Sequence, residues 1–428
     1  MRRGWLFIAM LGLATPVFSA SSPLTLAEAL AAADESHPDV MIAQSDVAIA
    51  KADITAASAR QDLTVTVEGA LRQGKATIGN TDWRDDNYGR VIVRKNLYDF
   101  SRTSSAVDAA NAALAAREQA LISSRDQHRV EVMARYFDVL MADQQYAADN
   151  EFMAVAYVSF DNSRNRLELG QISRADLAAL EMKYQDIREN RNATLGRQRA
   201  ARSALANAMN RPGELAADLV DPALADNELK LPEYEALIPV VLAHNPIWLS
   251  QEQSLVAAQK RLDSLRNETS PTLDAELEAG NYSRDSPTRN SVSGGLVMTW
   301  PIYQGRRIDA RIAREVAQFD RLQAVTQNLK MSLLQTLLQT IQEIEQLRNS
   351  ARPAAKQQIN YRDIALDRSR AEYELELKTN LGDSMAQTMT AQQRARSVEY
   401  RLALAIARLS ALTGKPVSEL SKLANITP

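Results

Sequence analysis

Two stretches in each half of the chain alternate apolar and polar residues with period two, the mark of a strand with two unlike faces. Leu63, Val65, Val67 and Leu71 fall on one side, with Thr64, Thr66, Glu68 and Arg72 on the other. Val91, Val93 and Leu97 oppose Arg90, Arg94 and Asn96. In the second half Leu273, Ala275 and Leu277 oppose Asp274, Glu276 and Glu278, and Val292, Leu296, Met298 and Trp300 oppose Ser293, Val297 and Thr299. These runs predict hairpins over 63–97 and 272–300, linked by the polar turns "TIGNTDWRDDN" and "NYSRDSPTRN". At about 9–10 residues each, they are long enough to cross a bilayer as tilted strands. The same alternation would suit a soluble sheet covering one end of a helical body.

The rest reads as helix. Ser101 to Leu169 contains neither glycine nor proline, which predicts a helix about 100 Å long at ~1.5 Å per residue. Gly170 breaks it, and another helix follows over 173–209. In the second half a long helix is expected over 304–376, kinked at Pro353, with a partner over 380–414. Apolar positions from Ile312 through Val316, Phe319, Leu322 and onward to Leu347 recur at a mean spacing near 3.5, which favours coiled-coil packing. Thr25 and Glu28 have the spacing of a capping box, so a helix begins there, and Pro38 interrupts it. With an early helix in each half, the shorter segments stacked end to end roughly match the long one.

Four segments recur in order: "NLYDFSR" with "PIYQGRR", "NRLELGQ" with "AEYELEL", "LANAMNRP" with "LSALTGKP", and "ESHPDV" with "LAHNPIW". A near-constant offset indicates a duplicated unit, with repeats over 21–232 and 233–428. Tyr98, Trp300 and Tyr303 stand where strands meet helices, as aromatics do at a membrane boundary. Pro301 ends its strand there because it has no N–H for the ladder. Lys95 shares the apolar face close to that boundary and is expected to snorkel. Four strands cannot close a barrel, and an open edge in lipid leaves backbone groups unpaired. Membrane strands therefore imply several copies: eight strands from a dimer or twelve from a trimer.

Composition narrows the class. The 428 residues carry a formal net charge of −3, 45% hydrophobic residues, 5% aromatics and no cysteine. The charge balance argues against a nucleic-acid partner. Residues 1–20 read as a secretory signal, with Arg2 and Arg3 before the apolar run Trp5 to Leu13 and cleavage after Ser19, Ala20 or Ser21. An exported chain without disulfides is stabilised by burial and assembly. His37, His128 and His244 are scattered, and no nucleophile motif or Gly-rich phosphate loop is present. No catalytic residue, metal ligand or cofactor is expected. The residues that stand out are charged positions on the polar strand faces: Arg72, Arg90 and Arg94 in one hairpin, Asp274, Glu276 and Glu278 in the other. They are expected to pair across neighbouring hairpins inside a water-filled lumen.

The doubled strand-to-helix junctions "WPIYQGR" and "NLYDFSR", together with "NSRNRLELGQISRADLAALEMKY", resemble the TolC-like outer-membrane efflux proteins over nearly the whole mature chain. The resemblance implies a mainly α fold with a small β part. In it a homotrimeric helical periplasmic barrel is continuous with a shared 12-stranded transmembrane barrel in outer-membrane lipid. It further implies a passive export channel that docks a periplasmic adaptor and an inner-membrane ABC or proton-driven transporter, for type I secretion or efflux. Carried over residue by residue, the periplasmic entrance aligns with Asp176, Tyr373 and Lys378, with Asp383 one position from the usual acidic site. The adaptor-docking tips align with Gly170, Gln171, Ile172 and Ser173, and with Leu377 and Thr379. For Asp176 the alternative is a plain acidic residue at a helix start, favoured by the dipole. The second tip departs from the family, with Glu376 where a glycine is usual. The rival function is a periplasmic coiled-coil scaffold or adaptor without a pore, and the two membrane-length hairpins discriminate against it.

Overall fold

The computed structural model describes residues 23–34, 37–75, 82–214, 218–284, 289–375 and 381–424. The first half runs α1 (Leu26–Asp34), α2 (Pro38–Ser58), β1 (Leu63–Ala70), β2 (Gln73–Lys75), β3 (Trp83–Asp85), β4 (Tyr88–Tyr98), α3 (Arg102–Glu168) and α4 (Arg174–Ala208). The second runs α5 (Tyr234–His244), α6 (Pro246–Arg266), β5 (Thr272–Tyr282), β6 (Val292–Thr299), α7 (Arg307–Gln346), α8 (Arg352–Glu374), α9 (Gly382–Thr413) and α10 (Val417–Ala424). The fold is mainly helical with a small sheet, and residues 1–20, where a secretory signal is expected, lie outside the described residues.

Local chemistry sets the element ends. The Thr25 hydroxyl accepts from the Glu28 N–H at 3.2 Å while the Glu28 carboxylate accepts from the Thr25 N–H at 2.9 Å, the reciprocal cap expected for α1. Pro38 and Pro246 open α2 and α6, where a missing N–H costs nothing. The predicted helix over 304–376 is not one α-helix: Leu347–Ala351 forms a π-helical turn between α7 and α8. Pro353 cannot donate to the carbonyl four residues back, and its ring crowds that position, so the wider turn absorbs the mismatch.

Helix α3 is the spine. Helix α2 lies along its first part, with Arg117 at 3.3 Å from Asp46, and α4 along its last, with Arg202 at 2.8 Å from Asp143. Helices α6 and α9 also pack on α3, and α7 lies against α6 and α9. The contacts near the sheet are alanine-rich: Ala50, Ala109, Ala112, Ala116, Ala257 and Ala258 are all buried. Small side chains let the backbones approach closely, which accounts for a chain rich in alanine and poor in aromatics.

The larger side chains collect at the waist. One cluster joins Val132, Tyr136, Phe137 and Leu140 of α3 to Ala29, Leu205 and Tyr400, with Phe137 stacked on Tyr400 at 4.7 Å. The other joins Leu237, Leu337, Ile344, Leu402, Ile406, Leu409 and Leu420 from α5, α7, α9 and α10. Each such side chain contributes about 1.5–3 kcal/mol by leaving water. The Tyr136 hydroxyl donates to the Val220 carbonyl at 2.6 Å, with that of Leu24 at 2.8 Å, and so ties in the parallel bridge Leu24–Leu219. Burial pushes this phenol up to about 12.

The strands form one antiparallel sheet in the order β1-β4-β5-β6, with β1 and β6 at its edges. The β4–β5 seam joins the two hairpins, and β2 and β3 form a separate two-stranded ribbon beyond the first.

Candidate functional site: a two-faced sheet and its junctions

The register brings the alternating residues onto two faces. Val65 pairs with Val93, Val93 with Leu277 and Leu277 with Gly294, while Leu273 pairs with Met298 and Ala275 with Leu296. This face is open in the single chain: Val67 is 77% exposed, and Leu296 and Met298 are each 67% exposed. Lys95 sits on it between Leu63 and Ala275, at the end nearest the helices, and is exposed. An apolar surface of this extent marks a contact with lipid or protein.

The opposite face is a charge ladder. Arg90 bonds Glu68 at 2.6 Å and Glu278 at 3.3 Å, Arg94 bonds Glu276 at 2.6 Å, and the Asn96 amide donates to Asp274 at 2.9 Å. Five of the six residues predicted for a lumen, Arg90, Arg94, Asp274, Glu276 and Glu278, thus meet across the β4–β5 seam. Arg72 stands apart at the outer end and bonds Asp86 at 2.7 Å.

At the helix end of the sheet the two junctions share one backbone path. Phe100 and Ser101 have φ of 52° and 66°, and Gly305 and Arg306 have 64° and 59°. These left-handed pairs occupy matching places in "YDFSR" and "YQGRR", and each turns a strand into a long helix. The non-glycine members carry the strain of that region. Tyr98, Trp300 and Tyr303 are 54%, 59% and 84% exposed, and the strand ends at Thr299, one residue before Trp300 and Pro301. The Trp300 indole donates to the Thr269 carbonyl at 3.2 Å.

The first helical tip is a tight turn. Gly170, at φ 71°, donates to the Leu167 carbonyl at 2.9 Å, and Gln171 donates to that of Arg166 at 2.8 Å, a Schellman closure that needs a residue tolerant of positive φ. Ile172 follows, and Ser173 caps α4. Asp176 completes that cap: it accepts from the Ser173 hydroxyl at 2.8 Å and N–H at 3.1 Å. Those bonds, the hydroxyl's first, hold the Asp176 carboxyl below its ordinary range. Tyr373 lies in the last turn of α8, 52% exposed, and Asp383 in the first turn of α9, also exposed. Among the described residues Asp176, Tyr373 and Asp383 are not linked to one another within the chain. Leu377, Lys378 and Thr379 fall outside the described residues.

One relationship at the waist had no signal in the sequence. His37, which caps α2, stacks on the buried His128 of α3, with ring centroids 3.9 Å apart.

No helix among the described residues is long and apolar enough to cross a membrane, which says nothing of strands. Residues 237–415 match the family model described as outer membrane efflux protein. The outer membrane efflux protein BepC of Brucella suis is 24% identical over 348 residues, spanning 80% of this chain and 74% of its own length. The outer membrane protein VceC of Vibrio cholerae shares the fold with a TM-score of 0.72 at 15% identity, over 92% of this chain and 96% of its own. The CmeC outer membrane channel of Campylobacter jejuni does so with a TM-score of 0.72 at 14% identity, over 93% of this chain and 89% of its own. The second half of the chain thus matches the outer membrane efflux protein family model, a curated outer membrane efflux protein is similar along most of its length, and the fold is that of solved outer-membrane channel proteins throughout.

Proposed function

We propose that the chain is one subunit of a homotrimeric export channel. Three copies contribute twelve strands to one transmembrane barrel, and their helices form a periplasmic tunnel continuous with it. Each copy holds two versions of one duplicated unit. The observation that carries this reading is the sheet itself: one face apolar and open, one face charged and internally paired, and two unpaired edges. An apolar outer band with a polar interior is what a membrane barrel requires. The open edges of β1 and β6 are satisfied in lipid only by further copies.

The channel is passive. A periplasmic adaptor docks at the helical tip around Gly170–Ser173 and at residues 377–379, and an inner-membrane ABC or proton-driven transporter supplies the energy for efflux or type I secretion. Asp176, Tyr373, Lys378 and Asp383 lie near the entrance, where charge-assisted bonds between copies would hold a closed state. Tyr98, Trp300, Pro301 and Tyr303 mark the membrane–water boundary on the periplasmic side.

The test is extraction and reconstitution of the mature chain. It should require detergent, run as three copies by light scattering, and make planar bilayers conduct. A monomer released by osmotic shock and unable to conduct overturns the proposal in favour of a periplasmic scaffold.

A further inference from the structure

The outer ends of the two hairpins are bound to each other more densely than a turn requires. Asp86, just before β4, accepts from Arg72 at 2.7 Å with one carboxylate oxygen and from Arg289 at 2.9 Å with the other. Arg72 follows β1, whereas Arg289 precedes β6, so one carboxylate joins segments of both hairpins. Its side chain is only 13% exposed. Four more bonds surround it. The Asn87 N–H donates to the Ser283 hydroxyl at 2.7 Å, the Ser283 N–H to the Asn87 carbonyl at 2.9 Å, the Arg72 N–H to the Asn87 side chain at 2.9 Å, and Arg284 to the Gly74 carbonyl at 3.0 Å.

This cluster lies on the charged face. Tyr88 and Tyr282 are register partners in the same row as Arg90 and Glu278, with ring centroids 6.1 Å apart. Arg72 and Arg90 stand over the Tyr88 ring at 5.3 and 5.6 Å, and Arg289 over the Tyr282 ring at 5.3 Å. The result is a layer of bulky planar groups on the polar side, at the end of the sheet remote from the helices. The carboxylates of Glu68, Glu278 and Asp86 largely offset the guanidinium charges, so the layer acts by bulk and rigidity more than by net charge.

We infer that Asp86 is the keystone of a collar that narrows the outer mouth of the channel and sets the largest solute that leaves it. This rests on the proposed channel, whose lumen is the charged face. With Asp86 in place, Arg72 and Arg289 are held over the tyrosines and the outer segments of the two hairpins are fixed to each other. Without it the two arginines lose their common partner and the rim relaxes outward.

Two variants test the collar in planar bilayers, Asp86→Asn and the double variant Arg72→Gln with Arg289→Gln. Their effects on charge are opposite, one adding positive charge and the other removing it. Both should raise single-channel conductance by about 1.5-fold or more, as a wider constriction does. Both should also let larger polyethylene glycols of a graded series enter from one side of the bilayer only. Unchanged conductance and polymer cut-off in both variants overturn the collar, as do changes of opposite sign that follow the charge. Detergent-resistant assembly of each variant is checked beside wild type. If the wild-type chain itself forms no channel, the channel reading fails and the collar falls with it; a conducting wild type with indifferent variants sinks the collar alone.

Discussion

Arg94 and Glu276 stand directly opposite each other in the β4–β5 register, and the guanidinium meets the carboxylate at 2.6 Å. The bond closes the seam between the two hairpins through residues 182 positions apart in sequence. Reversing the charge in Arg90→Glu with Arg94→Glu places uncompensated carboxylates beside Glu68, Glu276 and Glu278. Reversal potentials under a salt gradient should shift toward cation preference. The exchange Arg94→Glu with Glu276→Arg should return most of that shift, since like charges opposite one another are relieved. Unchanged selectivity in the Arg90→Glu, Arg94→Glu variant would remove these residues from the conduction path.

Gly414 and Gly170 both have positive φ, 63° and 71°, but their surroundings differ. A Cβ at Gly414 would clash with the His244 carbonyl oxygen, while one at Gly170 meets nothing within 4 Å. Gly170→Ala should cost about 1–2 kcal/mol, the left-handed penalty alone. Gly414→Ala adds a clash with fixed backbone and should cost about 3 kcal/mol or more. Thermal unfolding of the two variants in detergent gives the comparison.

His128 is held below its ordinary value of 6.5, by burial first and by the neighbouring His37 second, against the opposing pull of Glu131 and Asp39. The unfolded chain therefore takes up the proton at a higher pH than the folded one. Stability is full above the ordinary value and declines as pH falls through 6.5 toward the folded value. His128→Phe keeps a ring against His37 and removes the titration. Its melting temperature should drop less than that of wild type between about pH 7.5 and 5.5.

Leu337 is fully buried at the waist, whereas Leu296 is 67% exposed on the sheet. Leu337→Ala should lower the stability of the helical body by about 2–5 kcal/mol, through lost transfer energy and a residual cavity. Leu296→Ala should leave that body within about 0.5 kcal/mol of wild type, and weaken partition into lipid vesicles instead. Urea unfolding followed by far-ultraviolet circular dichroism, beside a vesicle flotation assay, separates the two effects.

The elements and the two faces of the sheet were legible because each leaves a local trace. The period of two in Leu63–Val67 and Asp274–Glu278 follows from the pleat, and the glycine- and proline-free run before Gly170 follows from helix punctuation. The pairings were legible only where both partners already stood out by charge, as with Arg94 and Glu276. Asp86 and Arg289 sit in polar turns, where charged residues carry no period, so their bond was invisible. The His37–His128 stack depends on where α2 meets the middle of α3, which no spacing within either helix reports. Pro353 announced a disturbance, but not that a π-helical turn over Leu347–Ala351 would absorb it. Helix α10 and the β2–β3 ribbon were too short to show a period.

The bare outer edges of β1 and β6 have a kinetic consequence. A lone copy entering lipid would carry two rows of unmet backbone groups into hydrocarbon, so insertion cannot run ahead of the encounter between copies. In the proposed channel, insertion and closure of the ring are one event, and the rate at which channels appear in vesicles should climb steeply with chain concentration.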